Sequence, residues 1–266
     1  MDTPFEFDAL RRETASWWYI ARRKLFREAV AQALRGKREA RVLDLGCTAE
    51  LRLADSPHIR ALHTHSSLAV LAFQQMHGLG DLICTSPEEL GFASNSFDAM
   101  VAGDVLQTVS DDLLALREMR RVLKDGAMLC LTVPAYPSLW GEKDEARGHR
   151  RRYTATELRR KLNNAGFEVT RVSYLVASGF LPAVVERIGK NIFTKSIDRR
   201  RALSRSSNAG MVLLLDVERH IIRYINLPFG TRVVCWARRP ALVAERVTVP
   251  LWERQWATRP LPQGSS

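Results

Sequence analysis

Short apolar runs alternate with helical segments along most of this chain, and no other feature restricts its fold as strongly. Residues 40–46 (ARVLDLG) and 127–135 (AMLCLTVPA) are nearly continuous apolar runs, which is typical of strands buried on both faces of a parallel sheet. Between such runs, residues 111–123 carry the apolar spacing of an amphipathic helix. This alternation predicts an α/β fold with a seven-stranded, mostly parallel, doubly wound sheet and helices on both faces.

The predicted elements give the chain a simple organisation. Strands are predicted at 40–46, 59–65, 81–84, 99–102, 127–135, 167–176 and 231–240. Helices are predicted at 8–35, 49–54, 68–77, 111–123 and 156–165, with a turn at 125–126. We therefore expect a single domain over 1–240, in which 177–230 form a helical insertion or cap before the last strand, and a partly mobile tail at 241–266.

Positive charge is concentrated in two segments. The net charge is +11, and residues 147–161 and 187–205 each contain seven basic residues and one acid. A field of this sign favours anionic partners. Because Phe and Ile accompany the bases of 187–205, we expect that segment to contact an anionic membrane surface, with a solvated helix face as the alternative. Few aromatic residues alternate with the bases, which disfavours nucleic acid as the partner.

The sequence also bears on location. The four cysteines lack the spacing of a metal site, so no metal is expected. The N-terminal segment MDTPFEFDAL carries acids where a secretion signal would carry bases. No apolar run reaches the roughly 18 residues of a membrane span. These features predict a cytoplasmic protein, peripheral to the membrane if 187–205 binds lipid.

Three phrases, in this order, resemble one protein family. They are ASWWYIARR in the first helix, RVLKDGAMLCLTVPAYPSLW with the following GHRRRYT, and INLPFGTRVVCWAR at the last strand. Together they resemble the class I S-adenosylmethionine-dependent methyltransferases, and within these the bacterial methyltransferase type 11-like subgroup. The resemblance covers residues 13–239. It implies a Rossmann-like class I methyltransferase fold and S-adenosylmethionine as the cofactor.

The resemblance implies that the cofactor-binding loop follows the first strand. The family's loop reads D-x-G-x-G-x-G, and Asp44, Gly46 and Cys47 occupy its first part here. Thr48 and Glu50 replace the later glycines, so the motif is degenerate. A side chain at such positions disfavours positive φ and takes up space near the ligand.

The ends of the next three strands complete the implied cofactor site. His65 stands where the family has a ribose-binding acid, and Ser86 stands at the third-strand acid. Gly103 and Asp104 follow the fourth strand, and Gln107 replaces a glutamate of the family. A neutral imidazole accepts one hydrogen bond where a carboxylate accepts two with charge assistance, so His65 would be a weaker ribose contact.

The loop after the fifth strand carries the candidate acceptor site. The resemblance implies that this loop faces the acceptor, with His149 and Tyr153 as candidate catalytic residues. A hydroxyl acceptor needs a base, and His149 is the only histidine of the loop. Candidate substrate contacts are Arg151 and Arg152, as a clamp for an anion, and the aromatic residues Trp17, Tyr136 and Trp140.

Each of these assignments has a structural alternative. His149 would instead bond Asp144 or backbone, and the two arginines would form salt bridges or a solvated face. Asp44 would order its loop by accepting backbone N–H bonds. One of the adjacent tryptophans Trp17 and Trp18 would pack into the core while the other points elsewhere.

Two functions follow from this sequence. The first is an active S-adenosylmethionine-dependent methyltransferase that acts on a small-molecule or lipid-linked acceptor. The alternative is a catalytically inactive relative that serves as a binding or scaffold subunit, because several cofactor-site positions depart from the family pattern. Residues 177–230 are expected to form a lid, a membrane contact or the surface of a homodimer, and the sequence does not decide among these.

Overall fold

The computed structural model describes residues 15–47, 58–180 and 205–241, and within these ranges seven strands form one sheet. In chain order they are β1 (Ala40–Leu45), β2 (Ile59–His65), β3 (Leu82–Cys84), β4 (Phe97–Gly103), β5 (Leu123–Pro134), β6 (Glu168–Leu175) and β7 (Arg232–Arg238). They lie side by side in the order β3-β2-β1-β4-β5-β7-β6. Only β7, among these strands, runs antiparallel to its neighbours, β5 and β6. The predicted fold class is confirmed.

Six helices are described beside this sheet. They are α1 (Trp17–Ala33), α2 (Leu68–Met76), α3 (Asp112–Val122), α4 (Glu142–Ala146), α5 (Ala155–Asn164) and α6 (Arg205–Ile221). Local sequence explains where two of them begin: the Asp111 side chain accepts the N–H groups of Leu113 and Leu114, and Thr154 accepts that of Glu157. Within the described ranges, no helix has both the length and the apolar character that crossing a membrane requires.

Most predicted element bounds agree with the structure to within one or two residues, and two strands of the sheet are longer than predicted. Strand β4 is longer than the predicted 99–102, because it is buried along its whole length. Strand β5 begins at Leu123, so the predicted turn at 125–126 lies inside a strand that changes register against β4. The helix predicted at 8–35 begins at Trp17, after the N-cap Ser16. The predicted helix at 49–54, residues 8–14 of that first helix, the part of 177–230 between 181 and 204, and the tail after 241 lie outside the described residues.

Helices cover both faces of the sheet. On one face α1 packs through Phe26 and Ala29 against the β4 side chain Val101. On the opposite face α3 packs through Leu116 against Met100, the neighbouring residue of the same strand. Burial on both faces explains the continuous apolar runs of the sequence. The strand order reverses between β1 and β4, and in open sheets of this kind ligands bind beyond the carboxyl ends of the strands at that point.

A buried carboxylate secures the opposite, amino-terminal end of β4. Asp98 accepts hydrogen bonds from Lys37 Nζ at 2.7 Å, Lys124 Nζ at 2.8 Å and the Arg41 backbone N–H at 3.0 Å. Burial alone would raise the pKa of Asp98, but these three donors lower it to about 2. The carboxylate therefore joins the segment before β1 to β4 and to the start of β5.

We predict that Asp98 gives the protein a dependence of stability on acid pH. Its folded pKa lies below its unfolded pKa, so its contribution is complete above about pH 4 and is lost as the pH falls toward 2. Asp98→Asn should lower the free energy of unfolding at pH 7 by about 2 kcal/mol and flatten the profile between pH 4 and 2. Urea denaturation across that range measures both effects.

The matched control is Asp125→Asn, which removes a more exposed carboxylate paired with Arg239. Its effect should stay within about 1 kcal/mol. Equal losses in the two variants would contradict the role assigned to Asp98.

Candidate functional site

A cavity of about 430 Å³ opens at the carboxyl ends of β1, β2 and β4, where the strand order reverses. Its volume lies in the range of small-molecule sites. The residues that line it come from the strand ends, α1, the loop after α4 and the start of β7; among them are Trp18, Tyr19, Arg22, Gly46, Cys47, His65, Thr85, Gly103, Asp104, Gln107, Arg147, His149 and Arg232.

The chain turns sharply at two of these strand ends. After β1, Gly46 has φ 95° and Cys47 has φ 50°; after β4, Asp104 has φ 54°. Positive φ at a residue other than glycine is costly and clusters at functional sites. Burial and the charge of Asp44 raise the pKa of the Cys47 thiol, which therefore stays uncharged. The structure thus brings together five predicted cofactor positions: Gly46, Cys47, His65, Gly103 and Asp104.

Asp104 is the centre of a buried ionic cluster. Its Oδ2 accepts a hydrogen bond from Arg22 at 2.6 Å and one from Trp18 Nε1 at 2.9 Å. Its Oδ1 lies 3.2 Å from Arg232. Burial alone would raise the pKa of Asp104, but the Arg232 and Arg22 guanidiniums and the Trp18 N–H lower it, so the carboxylate is ionised.

Positive charge exceeds negative charge in this cluster. Two guanidinium groups, of Arg22 and Arg232, share the single carboxylate of Asp104. Among the described residues, the buried Nε and Nη2 of Arg22 have no hydrogen-bond acceptor, and Nη1 of Arg232 has only its ion pair with Asp104. Burial lowers the pKa of Arg232, and repulsion from Arg22 and Arg147 acts in the same direction. An anionic ligand group would relieve both the repulsion and the missing hydrogen bonds.

His65 and Gln107 add neutral polar groups to the cavity. His65 Nδ1 accepts the Ser67 N–H at 2.9 Å, and burial lowers the pKa of His65, which keeps its ring neutral at pH 7. Gln107 is fully buried; its Nε2 donates to the Asp104 carbonyl at 2.7 Å, whereas its Oε1 has no hydrogen-bond partner among the described residues. An orphaned buried acceptor carries an energetic penalty that a ligand donor would remove.

His149 lines the cavity and is held by a carboxylate. Its Nδ1 lies 2.9 Å from Asp144 Oδ1, and Arg152 donates to both oxygens of Asp144, at 2.9 and 2.8 Å. Burial alone would raise the pKa of Asp144, but hydrogen bonds from Arg152 and His149 lower it. An ionised Asp144 fixes the proton on His149 Nδ1 and leaves Nε2 as the proton acceptor. The structural alternative for His149, a hydrogen bond to Asp144, is therefore present, and its role as a base stays a prediction.

Tyr153 does not reach the cavity, and its prediction as a catalytic residue is wrong. It is fully buried, and its hydroxyl lies 3.0 Å from the Leu106 carbonyl oxygen and 2.9 Å from Asp112 Oδ2. Burial and the Asp112 carboxylate raise the pKa of Tyr153, so the hydroxyl stays protonated. Its role here is to connect the loop before α5 to the start of α3.

The two arginines predicted as a substrate clamp are engaged elsewhere. Arg152 is bound to Asp144 and to the Ala135 carbonyl, and Arg151 to Asp112 and to the Ser110 carbonyl. Neither side chain lines the cavity. The alternative of salt bridges therefore describes these residues, and a clamp on a substrate anion stays a prediction.

The predicted aromatic contacts also lie outside the cavity lining. The Trp17 backbone N–H donates to Asn208 of α6, and the neighbouring Trp18, rather than Trp17, lines the cavity. Tyr136 stacks on Tyr174 with ring centroids 5.0 Å apart. Trp140 donates to Glu145 at 3.3 Å. These three predicted substrate contacts are not supported by the structure.

Two predicted cofactor residues sit beside the cavity rather than on its wall. Asp44 is fully buried in β1 and bonds His63 Nδ1 at 3.0 Å. Ser86 accepts the Glu88 N–H in the turn after β3, and its neighbour Thr85 lines the cavity instead. Thr48 and Glu50, the replaced glycines, lie outside the described residues.

Sequence reasoning missed two charged residues of the cluster, Arg22 and Arg232, and named Trp18 only together with Trp17. Arg22 belongs to the phrase WWYIARR, which marked the resemblance without showing which side chains face inward. Arg232 lies 128 positions from Asp104, and only the insertion of β7 beside β5 brings them together. The sequence carried no local signal for that pair.

Comparison with known proteins agrees with this architecture. Residues 43–131 match the family described as "Methyltransferase domain". A demethylmenaquinone methyltransferase of Bacillus velezensis is 30% identical over 129 residues, which are 44% of this chain and 55% of that protein. The chain thus spans about half the length of the curated relatives it matches.

Two solved structures share the fold. The [4+2]-cyclase SpnF has a TM-score of 0.53 at 24% identity, covering 81% of this chain and 80% of the cyclase. Phosphoethanolamine N-methyltransferase 2 of Haemonchus contortus, in complex with S-adenosyl-L-methionine, has a TM-score of 0.50 at 17% identity, covering 79% of this chain and 51% of that one. The chain therefore has the Rossmann-like class I methyltransferase fold, and residues 43–131 within it match a methyltransferase domain.

We predict that the Tyr153 hydroxyl contributes to stability and not to ligand binding. Tyr153→Phe should lower the free energy of unfolding by about 1–2 kcal/mol, because a buried hydrogen bond is lost. Urea denaturation measures the change. Tyr224→Phe, which removes an exposed hydroxyl, is the control and should be neutral. Full stability of Tyr153→Phe would contradict this structural role.

Proposed function

We propose that this protein is an S-adenosylmethionine-dependent methyltransferase that binds its cofactor in the cavity above β1 and β4. The observation that carries the proposal is the polar lining of that cavity, where cations, a carboxylate and an orphaned acceptor converge at the point of strand reversal. We propose a small-molecule or lipid-linked acceptor that enters beside His149.

The polar groups of the cavity fit those of S-adenosylmethionine. Arg22 and Arg232 would hold the carboxylate of the cofactor. Asp104 and the side-chain oxygen Oε1 of Gln107 would accept hydrogen bonds from its ammonium group. His65, at the end of β2, would contact a ribose hydroxyl. When bound, the cofactor supplies an electrophilic methyl group on a sulfonium sulfur.

The chain's own contribution to transfer is positioning and proton removal. Aligning the acceptor with the methyl group supplies much of the acceleration in a displacement reaction. His149 is the candidate general base, because Asp144 binds its Nδ1, so that in the neutral ring Nε2 is the nitrogen that can accept a proton. Asp144, itself fixed by Arg152, is a positioning residue.

The curated relatives supply a first acceptor to test. Those named demethylmenaquinone methyltransferase share about half their length with this chain, over the domain that would bind the cofactor. A demethylmenaquinone in its reduced form carries a ring hydroxyl, so a base has a proton to remove. That chemistry suits the Asp144–His149 pair and the lipid-linked class of acceptor.

We predict that Arg232 contributes to cofactor affinity. Arg232→Met should weaken S-adenosylmethionine binding by about tenfold or more, because a charge-assisted hydrogen bond to the carboxylate is lost. Isothermal titration measures the dissociation constant. Arg238→Met is the matched control, since it removes the same charge from an exposed position of the same strand. Unchanged affinity in Arg232→Met would contradict the assignment.

We predict that His149→Gln lowers the rate of methyl transfer by about a hundredfold while cofactor affinity stays within about twofold. The measurement is transfer of labelled methyl from S-adenosylmethionine to a reduced demethylmenaquinone. Asp144→Asn should give a smaller loss and shift the pH profile, because it acts through His149. A rate unaffected in His149→Gln would remove it as the base.

The same experiments address the non-catalytic alternative. The comparisons do not support it, although the positions that suggested it include Thr48 and Glu50, outside the described residues. Titration of the wild-type chain with S-adenosylmethionine is the direct test. Absence of binding heat in folded protein would reject the proposed enzyme and favour a scaffold role.

A further inference from the structure

The orientation of α6 is fixed by polar contacts with α1. Lys24 and Asp216 form an ion pair, and Glu28 binds Arg219 and Arg223. Leu215, Glu218 and Ile222 of the inner face are buried. The opposite side of α6 is therefore turned away from the protein.

That opposite side is apolar. We define the outer face of α6 as the exposed large apolar residues of the helix and of the turn that follows it, with exposures from 40% to 85%: Leu213, Leu214, Val217, Ile221, Tyr224 and Ile225. Spacings of three and four residues place them on one stripe. Contiguous apolar surface of this kind on a folded chain marks an interaction site.

Basic residues flank the outer face in the sequence, and one of them, Arg223, is paired with Glu28. Between 208 and 225 the acids are Asp216 and Glu218, and both are engaged inward: Asp216 with Lys24, and Glu218 with the backbone N–H groups of Ala177 and Ser178. Arg223 and His220 are exposed at the edge of the stripe. In sequence, the run of seven bases and one acid at 187–205 leads directly into α6.

We propose that the outer face of α6 lies on an anionic lipid surface. An apolar helical face bordered by bases is the arrangement that inserts at the boundary between headgroups and acyl chains. Anionic headgroups complement the basic residues, and their attraction adds to burial of the apolar side chains. A second copy of the chain would offer no anionic surface to the basic residues that precede α6 in the sequence.

The test is co-sedimentation of the full chain with vesicles. Wild type should bind vesicles containing 30% phosphatidylglycerol, bind pure phosphatidylcholine much less, and weaken as salt rises. The triple variant Leu213→Ser, Val217→Ser and Ile221→Ser should bind the anionic vesicles at least about tenfold more weakly. The control Leu68→Ser with Met76→Ser removes equally exposed apolar residues from α2 and should bind like wild type.

A second measurement uses the unmodified protein, so that it does not depend on the folding of a variant. Hydrogen exchange of 213–225 should slow when anionic vesicles are added. Unchanged exchange there, or undiminished binding of a folded triple variant, would overturn the proposal. A dimer in the absence of lipid that the triple variant dissociates would also overturn it and assign the face to a second copy.

Discussion

The ion cluster around Asp104 holds the site together. One carboxylate, on the residue that follows β4, binds Arg22 and Trp18 of α1 and pairs with Arg232 of β7. The first helix and the last strand are thereby joined at the point where the sheet reverses its order. Removing the Asp104 carboxylate would leave two guanidiniums without their common partner, which is among the costliest changes a folded protein can undergo. The shape of the cavity and its excess of positive charge both follow from this one arrangement.

The sheet could be predicted from sequence because its signals are local. Continuous apolar runs such as 127–135 reflect burial on both faces, and caps such as Asp111 mark helix starts within one turn. Phe97 was missed as the first residue of β4 because its pairing with Leu123 is separated from the rest of the ladder by a change of register. The pattern of apolar residues around Phe97 does not indicate this change of register.

The residues of the site were harder to predict from the sequence than the strands of the sheet. His65 and Asp104 could be found because strand ends converge in a parallel sheet, whichever side chains they carry. Tyr153 and His149 stand four positions apart in one basic loop, yet one is buried against Asp112 and the other lines the cavity. Sequence shows that both can carry protons, and only the tertiary structure shows which of them meets a ligand. Arg151 and Arg152 illustrate the same limit, because their carboxylate partners lie on other elements.

Helix α1 contributes to two distant surfaces. Through Trp18 and Arg22 it forms part of the cavity wall, and through Lys24 and Glu28 it supports α6. The two surfaces can therefore be coupled. If a ligand in the cavity changes the affinity of α6 for its partner, thermodynamic linkage requires that the partner change the affinity of the cavity for the ligand by the same factor. Because one helix contacts both regions, binding at the cavity and contact at α6 would then be thermodynamically coupled through α1.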